Sequence, residues 1–172
     1  MLAVFFISRL SLGIVNLKPL LPGRKYIHLS TTYTDQVDVL LIPRRVVPRL
    51  ADLNPEEVTD LFLCVQHVGK VLEKAYNAQS LTISIQDGKE AGQSVPHVHV
   101  HLIPRKSTDY GGDVDQIYPA LEENEKEMKG DMESKRDDWK NAKDEDRKPR
   151  SMEEMEKEAE WLKGLFTAGS KM

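Results

Sequence analysis

Imidazole and aliphatic side chains alternate without a break across Pro96-His97-Val98-His99-Val100-His101-Leu102-Ile103-Pro104. A strict period of two reads as a β-strand, in which successive side chains point to opposite faces. His97, His99 and His101 therefore share one face, and Val98, Val100 and Leu102 form the other. The aliphatic face can enter a core. The opposite face presents three titratable rings, with neighbours about 6.6–6.8 Å apart along an extended strand.

Three readings fit that row. The first is a polar strand face that happens to carry histidines, a weak account of three of the chain's five histidines within five positions. The second is zinc, because an H-x-H pair on one strand supplies two plausible ligands. Geometry limits this to two of the three rings: His97 and His101 lie about 13 Å apart on a strand, whereas Zn–N bonds measure about 2 Å. No H-x-H-x-D extension, C-x-x-C or H-E-x-x-H motif stands elsewhere to complete a site. The third is catalysis by imidazole, in which one ring attacks while its neighbours bind and protonate what surrounds it.

The rest of the chain bounds the class. Its 172 residues, 40% of them apolar, supply one domain with a real core. A net charge of −4 and a pI near 5.8 argue against nucleic acid as the main partner. A polyanionic substrate must then be met by local donors and not by the global field. The single cysteine, Cys64, excludes an intrachain disulfide and suits a reducing compartment; among apolar helix neighbours it reads as core filler. The apolar start, Met1 to Ile7, lacks a basic leader and is interrupted at Ser8-Arg9, so it reads as a buried strand over 4–10 and not as a signal peptide. No stretch has the length of a membrane span, and no membrane partner is expected.

Ser11 to Asn16 continues as a second strand, paired in a hairpin or through a bulge at Gly13. Asn54-Pro55-Glu56-Glu57 starts a helix, with Asn54 as N-cap, Pro55 at the first turn and a capping box closed by glutamate. Val58, Leu61, Phe62, Val65, Val68 and Leu72 then recur at helical spacing to about residue 76. His67 on this helix reads as solvated or packed. Leu81 to Gln86 alternates as a strand, with Leu81, Ile83 and Ile85 toward the core and Thr82, Ser84 and Gln86 on the other face. Asp87-Gly88 turns the chain, and Ala91-Gly92-Gln93-Ser94 offers backbone N–H donors ahead of the triad. Residues 122–150 are dominated by charge and read as a solvated segment. Ser151-Met152-Glu153-Glu154 caps a last amphipathic helix over 151–166, with Met155, Ala159, Leu162 and Phe166 as its apolar stripe and a frayed tail from Thr167. The expected fold is α+β: an antiparallel sheet of about five strands, one long helix and a C-terminal helix, in a core over 1–121.

The His-φ-His-φ-His-φ-φ stretch, with φ apolar, resembles the signature of the histidine triad superfamily of nucleotidyl hydrolases and transferases. Gln86 to Val95 resembles the substrate loop of its fragile histidine triad branch, the dinucleoside polyphosphate hydrolases. Ile14-Val15-Asn16-Leu17-Lys18-Pro19-Leu20-Leu21-Pro22-Gly23 resembles that branch's nucleoside-contacting strand and turn, and Asp115-Gln116-Ile117-Tyr118 and the final acidic helix also fit. The resemblance implies hydrolysis of diadenosine triphosphate to AMP and ADP. His99 would attack the α-phosphorus to form a covalent nucleotidyl-histidine, and His97 and His101 would position it and donate to phosphate oxygens. It further implies substrate contacts by Asn16, Gln86, Gly92, Gln93, Ser94, Val95 and His101, with Asn16 at the ribose. No metal is held by the protein; Mg²⁺ or Mn²⁺ accompanies the substrate. The expected assembly is a homodimer in the cytoplasm, with the nucleus as a further location. Tyr118 stands where the branch carries an exposed tyrosine linked to signalling, or is an ordinary surface residue. Two alternatives stand beside this: a nucleoside phosphoramidase or nucleotidyl transferase of a sister branch, and a nucleotide-binding signalling protein with slow turnover.

Two departures from the family pattern matter. The chain starts late, without an initial strand or loop that helps close the base pocket. Between Pro22-Gly23 and Val39-Leu40-Leu41-Ile42-Pro43, where the family has Pro-Gly-His and then the strand, stand residues 24–38. They are polar, threonine-rich and without clear period, hence a surface loop by default. His28 within them does not take the family histidine's place. A translated intron and a genuine loop insertion both fit. Arg24-Lys25-Tyr26 can be encoded by CGT-AAG-TAT, which contains the 5′ splice sequence GTAAGTAT. Val37-Asp38 can be encoded by GTA-GAY, whose TAG would leave AY to join the remaining C as a histidine codon. On this reading Asp38 puts an acid where a ring would meet phosphate, and should repel the substrate.

Overall fold

The computed structural model describes residues 3–16, 25–28, 31–34, 38–122 and 151–168, the second and third of these segments for their backbone only. Among the described residues seven strands follow in chain order: β1 (Val4–Ile7), β2 (Ser11–Val15), β3 (Lys25–His28), β4 (Thr31–Thr34), β5 (Val39–Pro43), β6 (Ser80–Ser84) and β7 (Val100–Arg105). Five of them form one antiparallel sheet in the order β1-β2-β5-β7-β6. Helix α1 (Pro55–Ala75) links β5 to β6, residues 117–122 are helical (α2), and α3 (Met152–Ala168) ends the described chain. The residues expected over 122–150 lie, from 123 on, outside the described residues. No helix among the described residues is long and apolar enough to cross a membrane.

Side-chain alternation sorts the two faces of this sheet. Val100 and Leu102 of β7, Val39 and Leu41 of β5 and Val15 of β2 join one core with Leu61, Val65, Val68 and Leu72 of α1 and Met155, Ala159 and Leu162 of α3. Both long helices thus cover one face. The other face carries His99 and His101, an apolar patch of Ile14, Leu40 and Ile42, and Ile103 beneath Ile117, Ala120 and Leu121. The α1 capping box is formed as its residues require: Asn54 Oδ1 accepts from Glu57 N at 2.9 Å, and Glu57 Oε2 accepts from Asn54 N at 2.9 Å. Ser151 and Glu154 repeat the device at the start of α3, which extends past the expected fraying at Thr167 to Ala168. His67 is exposed, with its ring against those of Phe6 and Phe166 at 5.8 and 5.5 Å.

Three local expectations are corrected. The first strand ends at Ile7, because Ser8 turns the chain back: its Oγ accepts from Ser11 N at 2.8 Å. The hairpin irregularity lies in β1, where the register shifts between Val4 and Phe6 opposite Gly13. A Cβ on Gly13 would stand 2.9 Å from both Phe5 Cζ and Phe6 Cβ, so the bulged strand needs a glycine across from it. Second, residues 24–38 include a β3–β4 ladder, with Lys25↔Thr34, Tyr26↔Tyr33, Ile27↔Thr32 and His28↔Thr31. Threonine, tyrosine and isoleucine favour strands, and the polarity of the stretch masked that preference. This pair is a sheet of its own, without a ladder to the other five strands.

The third correction concerns the triad itself. The ladder begins at Val100 and not at Pro96, so His97 and His99 precede the strand. The partner strand explains this. Pro43 ends β5, has no N–H to give, and its carbonyl is taken by the His97 ring. Val98 N instead reaches Val47 O at 2.8 Å, and His97 N bends back to Val95 O at 2.7 Å.

Candidate active site

The three rings are held by three different acceptors, and each acceptor decides which nitrogen carries hydrogen. His99 Nδ1 lies 2.8 Å from the carbonyl oxygen of His97. A carbonyl can only accept, so Nδ1 is the protonated nitrogen, and in the neutral ring Nε2 keeps its lone pair. His97 is reversed, with Nε2 2.9 Å from Pro43 O, so Nε2–H donates there. Burial pushes the His97 imidazole below its ordinary pKa, against the opposing pull of the Pro43 carbonyl, and the neighbouring His99 lowers it further. His101 is fully buried and meets both oxygens of Asp38 through Nδ1, each at 3.1 Å. The His99 and His101 rings meet edge to face with centroids 5.2 Å apart, closer than an extended strand alone would place them.

Asp38 lies against this ring. It is fully buried, and Asn16 Nδ2 donates to its Oδ2 at 2.6 Å while Asn16 N donates to its carbonyl at 3.1 Å. The carboxylate faces Nδ1 of His101. Asn16, expected at the ribose, is itself buried and turns its amide N–H to this acid.

The loop from Gln86 to Val95 is braced from within. Asp87 Oδ1 accepts from Leu50 N at 2.8 Å, and with Arg49 beside it that N–H holds the carboxyl below the ordinary carboxylate range. Gly88 has φ +107°, and a Cβ there would stand 2.8 Å from Arg49 Cζ. Gln93 is placed otherwise than expected of a phosphate donor. Its Oε1 accepts from Gly88 N at 2.8 Å and its Nε2 donates to Pro48 O at 2.8 Å, so both ends of the amide hold the loop. Gly92 takes the left-handed conformation that ends the turn, with φ +94°, and Ser94 and Val95 follow half-buried.

Gln86 is different. Its Oε1 is buried without a hydrogen-bond partner among the described residues, and so is Ser84 Oγ. Ser84 pairs with His101 across the β6–β7 ladder, so both groups lie on the histidine face. The alternation of β6 placed Ser84 there; what sequence reasoning missed was that it sits directly across from a triad ring. A groove of about 750 Å³ runs along β6, lined by Ser84, Gln86, Lys89, Gly92, Tyr118 and Leu121 among others. It flanks the histidines without including them. Tyr118 is 60% exposed at its rim.

A nucleophilic ring nitrogen, hydrogen-bonding groups beside it and an apolar patch on the same face together suit attack on a phosphorus flanked by a nucleoside. Comparison with known proteins agrees. The family profile described as HIT domain matches residues 29–108. The bis(5′-nucleosyl)-tetraphosphatase (asymmetrical) of Schizosaccharomyces pombe is 48% identical, over 95% of this chain and 88% of its own length. The bifunctional bis(5′-adenosyl)-triphosphatase/adenylylsulfatase FHIT of Arabidopsis thaliana is 45% identical, over 95% of this chain and 77% of its own. The crystal structure of the C. elegans NitFhit protein superposes with a TM-score of 0.62 at 34% identity, over 95% of this chain and 27% of that longer one. With its triad, its sheet and these relatives, the chain belongs to the histidine triad family, in the fragile histidine triad branch.

Proposed function

We propose that the protein hydrolyses dinucleoside polyphosphates, diadenosine triphosphate among them, to AMP and the remaining nucleotide through a covalent intermediate on His99. The orientation of His99 carries this reading: Nδ1–H is tied to the His97 carbonyl at 2.8 Å, which leaves Nε2 as the only nucleophilic nitrogen of a neutral ring. An imidazole also leaves phosphorus readily in a second step. Nε2 attacks the α-phosphorus, and the bond from that phosphorus to the bridging oxygen breaks, its electron pair departing with ADP. Water then attacks the same phosphorus, the bond to Nε2 breaks, and AMP leaves. Gln86, Ser94 and the backbone at Gly92 meet the phosphates, and the Ile14-Leu40-Ile42 patch receives a base. Mg²⁺ or Mn²⁺ enters with the polyphosphate. The names carried by the fission-yeast and plant relatives support the substrate class.

The test is His99→Asn with diadenosine triphosphate as substrate. AMP release should fall by several orders of magnitude with little change in substrate Kd, and the adenylyl-histidine adduct seen by mass spectrometry after rapid quenching should vanish. A mutant that keeps a tenth of the parent rate removes His99 from that role. Two copies assemble in this reading as a homodimer. The β6 strand is the sheet's outer edge, its Ile83 is 49% exposed, and a free edge with an apolar residue favours pairing. Sedimentation at the mass of one chain would overturn the dimer.

A further inference from the structure

The strand order gives a bound substrate a direction. Across the histidine face, the apolar patch of Ile14, Leu40 and Ile42 belongs to β2 and β5, His101 to β7, and Ser84 to β6, the last strand. With a base on the patch and the α-phosphorus at His99, the phosphates beyond the bond that breaks have the β6 side, where the groove of about 750 Å³ runs. Among the residues lining that groove, Lys89 is the one cation. The charges beside it on the loop are already matched: Arg49 Nε lies 3.2 Å from Asp87 Oδ1, and the charge of Glu90 acts on the same guanidinium. Lys89 is exposed, and its ammonium makes no ion pair or hydrogen bond among the described residues. Glu122 lines the groove from α2 and carries the same sign as a phosphate, so selection here comes from the place of the cation and not from the groove's net charge.

We infer that Lys89 is a specificity-determining residue, whose ammonium meets the phosphates distal to the attacked one and favours a substrate with four phosphates over one with three. This rests on the hydrolase reading above. Breaking the bridging P–O bond leaves its electron pair on the departing nucleotide, so negative charge grows on the group that faces Lys89 and not on the half kept by His99. A cation placed there is worth more as the bond breaks than before it. Each further phosphate adds one anionic group on the same side, with the base and the α-phosphorus unchanged. Gln86 and Ser84 are neutral and meet whatever phosphate lies nearest. The flexible four-carbon stem of a lysine lets its point charge follow a chain of variable length.

The full chain, Lys89→Met and Lys89→Arg are compared at one fixed magnesium concentration on diadenosine tetraphosphate, diadenosine triphosphate and the p-nitrophenyl ester of AMP, whose leaving group carries no phosphate. In Lys89→Met the tetraphosphate-to-triphosphate ratio of kcat/KM should fall about 5- to 10-fold, between the loss of a screened surface pair and that of a charged hydrogen bond. Lys89→Arg should keep the parent ratio, and the nitrophenyl ester should suffer the smallest loss of the three. Raising the salt should lower the ratio in the parent and leave it level in Lys89→Met. A ratio in Lys89→Met within twofold of the parent's overturns the proposal. So does an equal loss on all three substrates, the mark of a side chain that merely supports its loop. If the parent cleaves none of the three, the hydrolase reading falls, and the same comparison is read in Kd for the two dinucleotides by titration calorimetry. An unaltered Kd ratio in Lys89→Met then overturns the assignment of Lys89, and a lowered one upholds it.

Discussion

Replacing Gln86 by methionine should move stability and activity in opposite directions. The reason lies in what surrounds its amide. Oε1 is buried without a partner among the described residues, two positions past Ser84 at the end of β6, whose Oγ is in the same condition. A buried acceptor left unsatisfied costs about 1–3 kcal/mol, whereas removing it in favour of an apolar group of similar shape is neutral or stabilising. Methionine keeps the length of the side chain and removes the acceptor. Urea unfolding of the free protein should therefore show a gain of about 1 kcal/mol, or about 2–4 °C in Tm for a chain of this size. The same substitution deletes a donor to phosphate oxygens whose charge grows in the transition state. Its kcat/KM should fall by the 1–3 kcal/mol of one such hydrogen bond, about 5- to 150-fold. A purely structural glutamine would lose stability and activity together. Stability lower by more than about 1 kcal/mol would refute the reasoning, and so would an unchanged kcat/KM. Ser84→Ala is the companion measurement, since its hydroxyl should show the same opposition.

Two further outcomes are expected. Glu57, held near a pKa of about 2 first by Arg45 and then by the Asn54 N–H, is more easily ionised in the folded state than its ordinary 4.5. Its stabilisation is complete above pH 4.5 and lost as pH falls toward about 2; the acid limb of the unfolding curve should flatten in Glu57→Gln, and an unchanged limb would count against the pairing. Residues 24–38 should be absent from the mature transcript, and the chain carrying one histidine in their place should fold with about 1 kcal/mol more stability, from shortening the connection between Val15 and Val39 from 23 residues to 9. A transcript that retains these codons throughout rules out the intron, and a shortened chain that does not fold rules out the loop argument.

The parts of this fold that were legible in the sequence are those written in side-chain period. Alternation at Val98, Val100 and Leu102 put one face of β7 into the core, and helical spacing from Val58 to Leu72 put α1 against it. Caps were legible because Asn54 with Glu57, and Ser151 with Glu154, are local pairs three residues apart. What escaped was non-local. The alternation continues through His97 and His99, yet the ladder does not, because a strand persists only while its neighbour offers N–H groups, and Pro43 withdraws its own. Gln93 resembles a phosphate donor in sequence, but the turn at Gly88 folds it back on Pro48 O.

Asp38 shows the same limit at the site itself. Charge alone suggested repulsion of a polyphosphate; what charge does not give is the place of the acid, which the β2–β5 register sets. Val15 pairs with Val39, so the next residues outward, Asn16 and Asp38, are bonded through their backbones as well as their side chains. The neighbouring β5–β7 register pairs Leu40 with His101, which brings the acid behind the ring rather than in front of it. The sign of an electrostatic effect here is set by which side of an imidazole the carboxylate occupies. Two strand registers, neither visible in composition or motif, put this carboxylate against Nδ1 of the buried ring and beside the Asn16 amide.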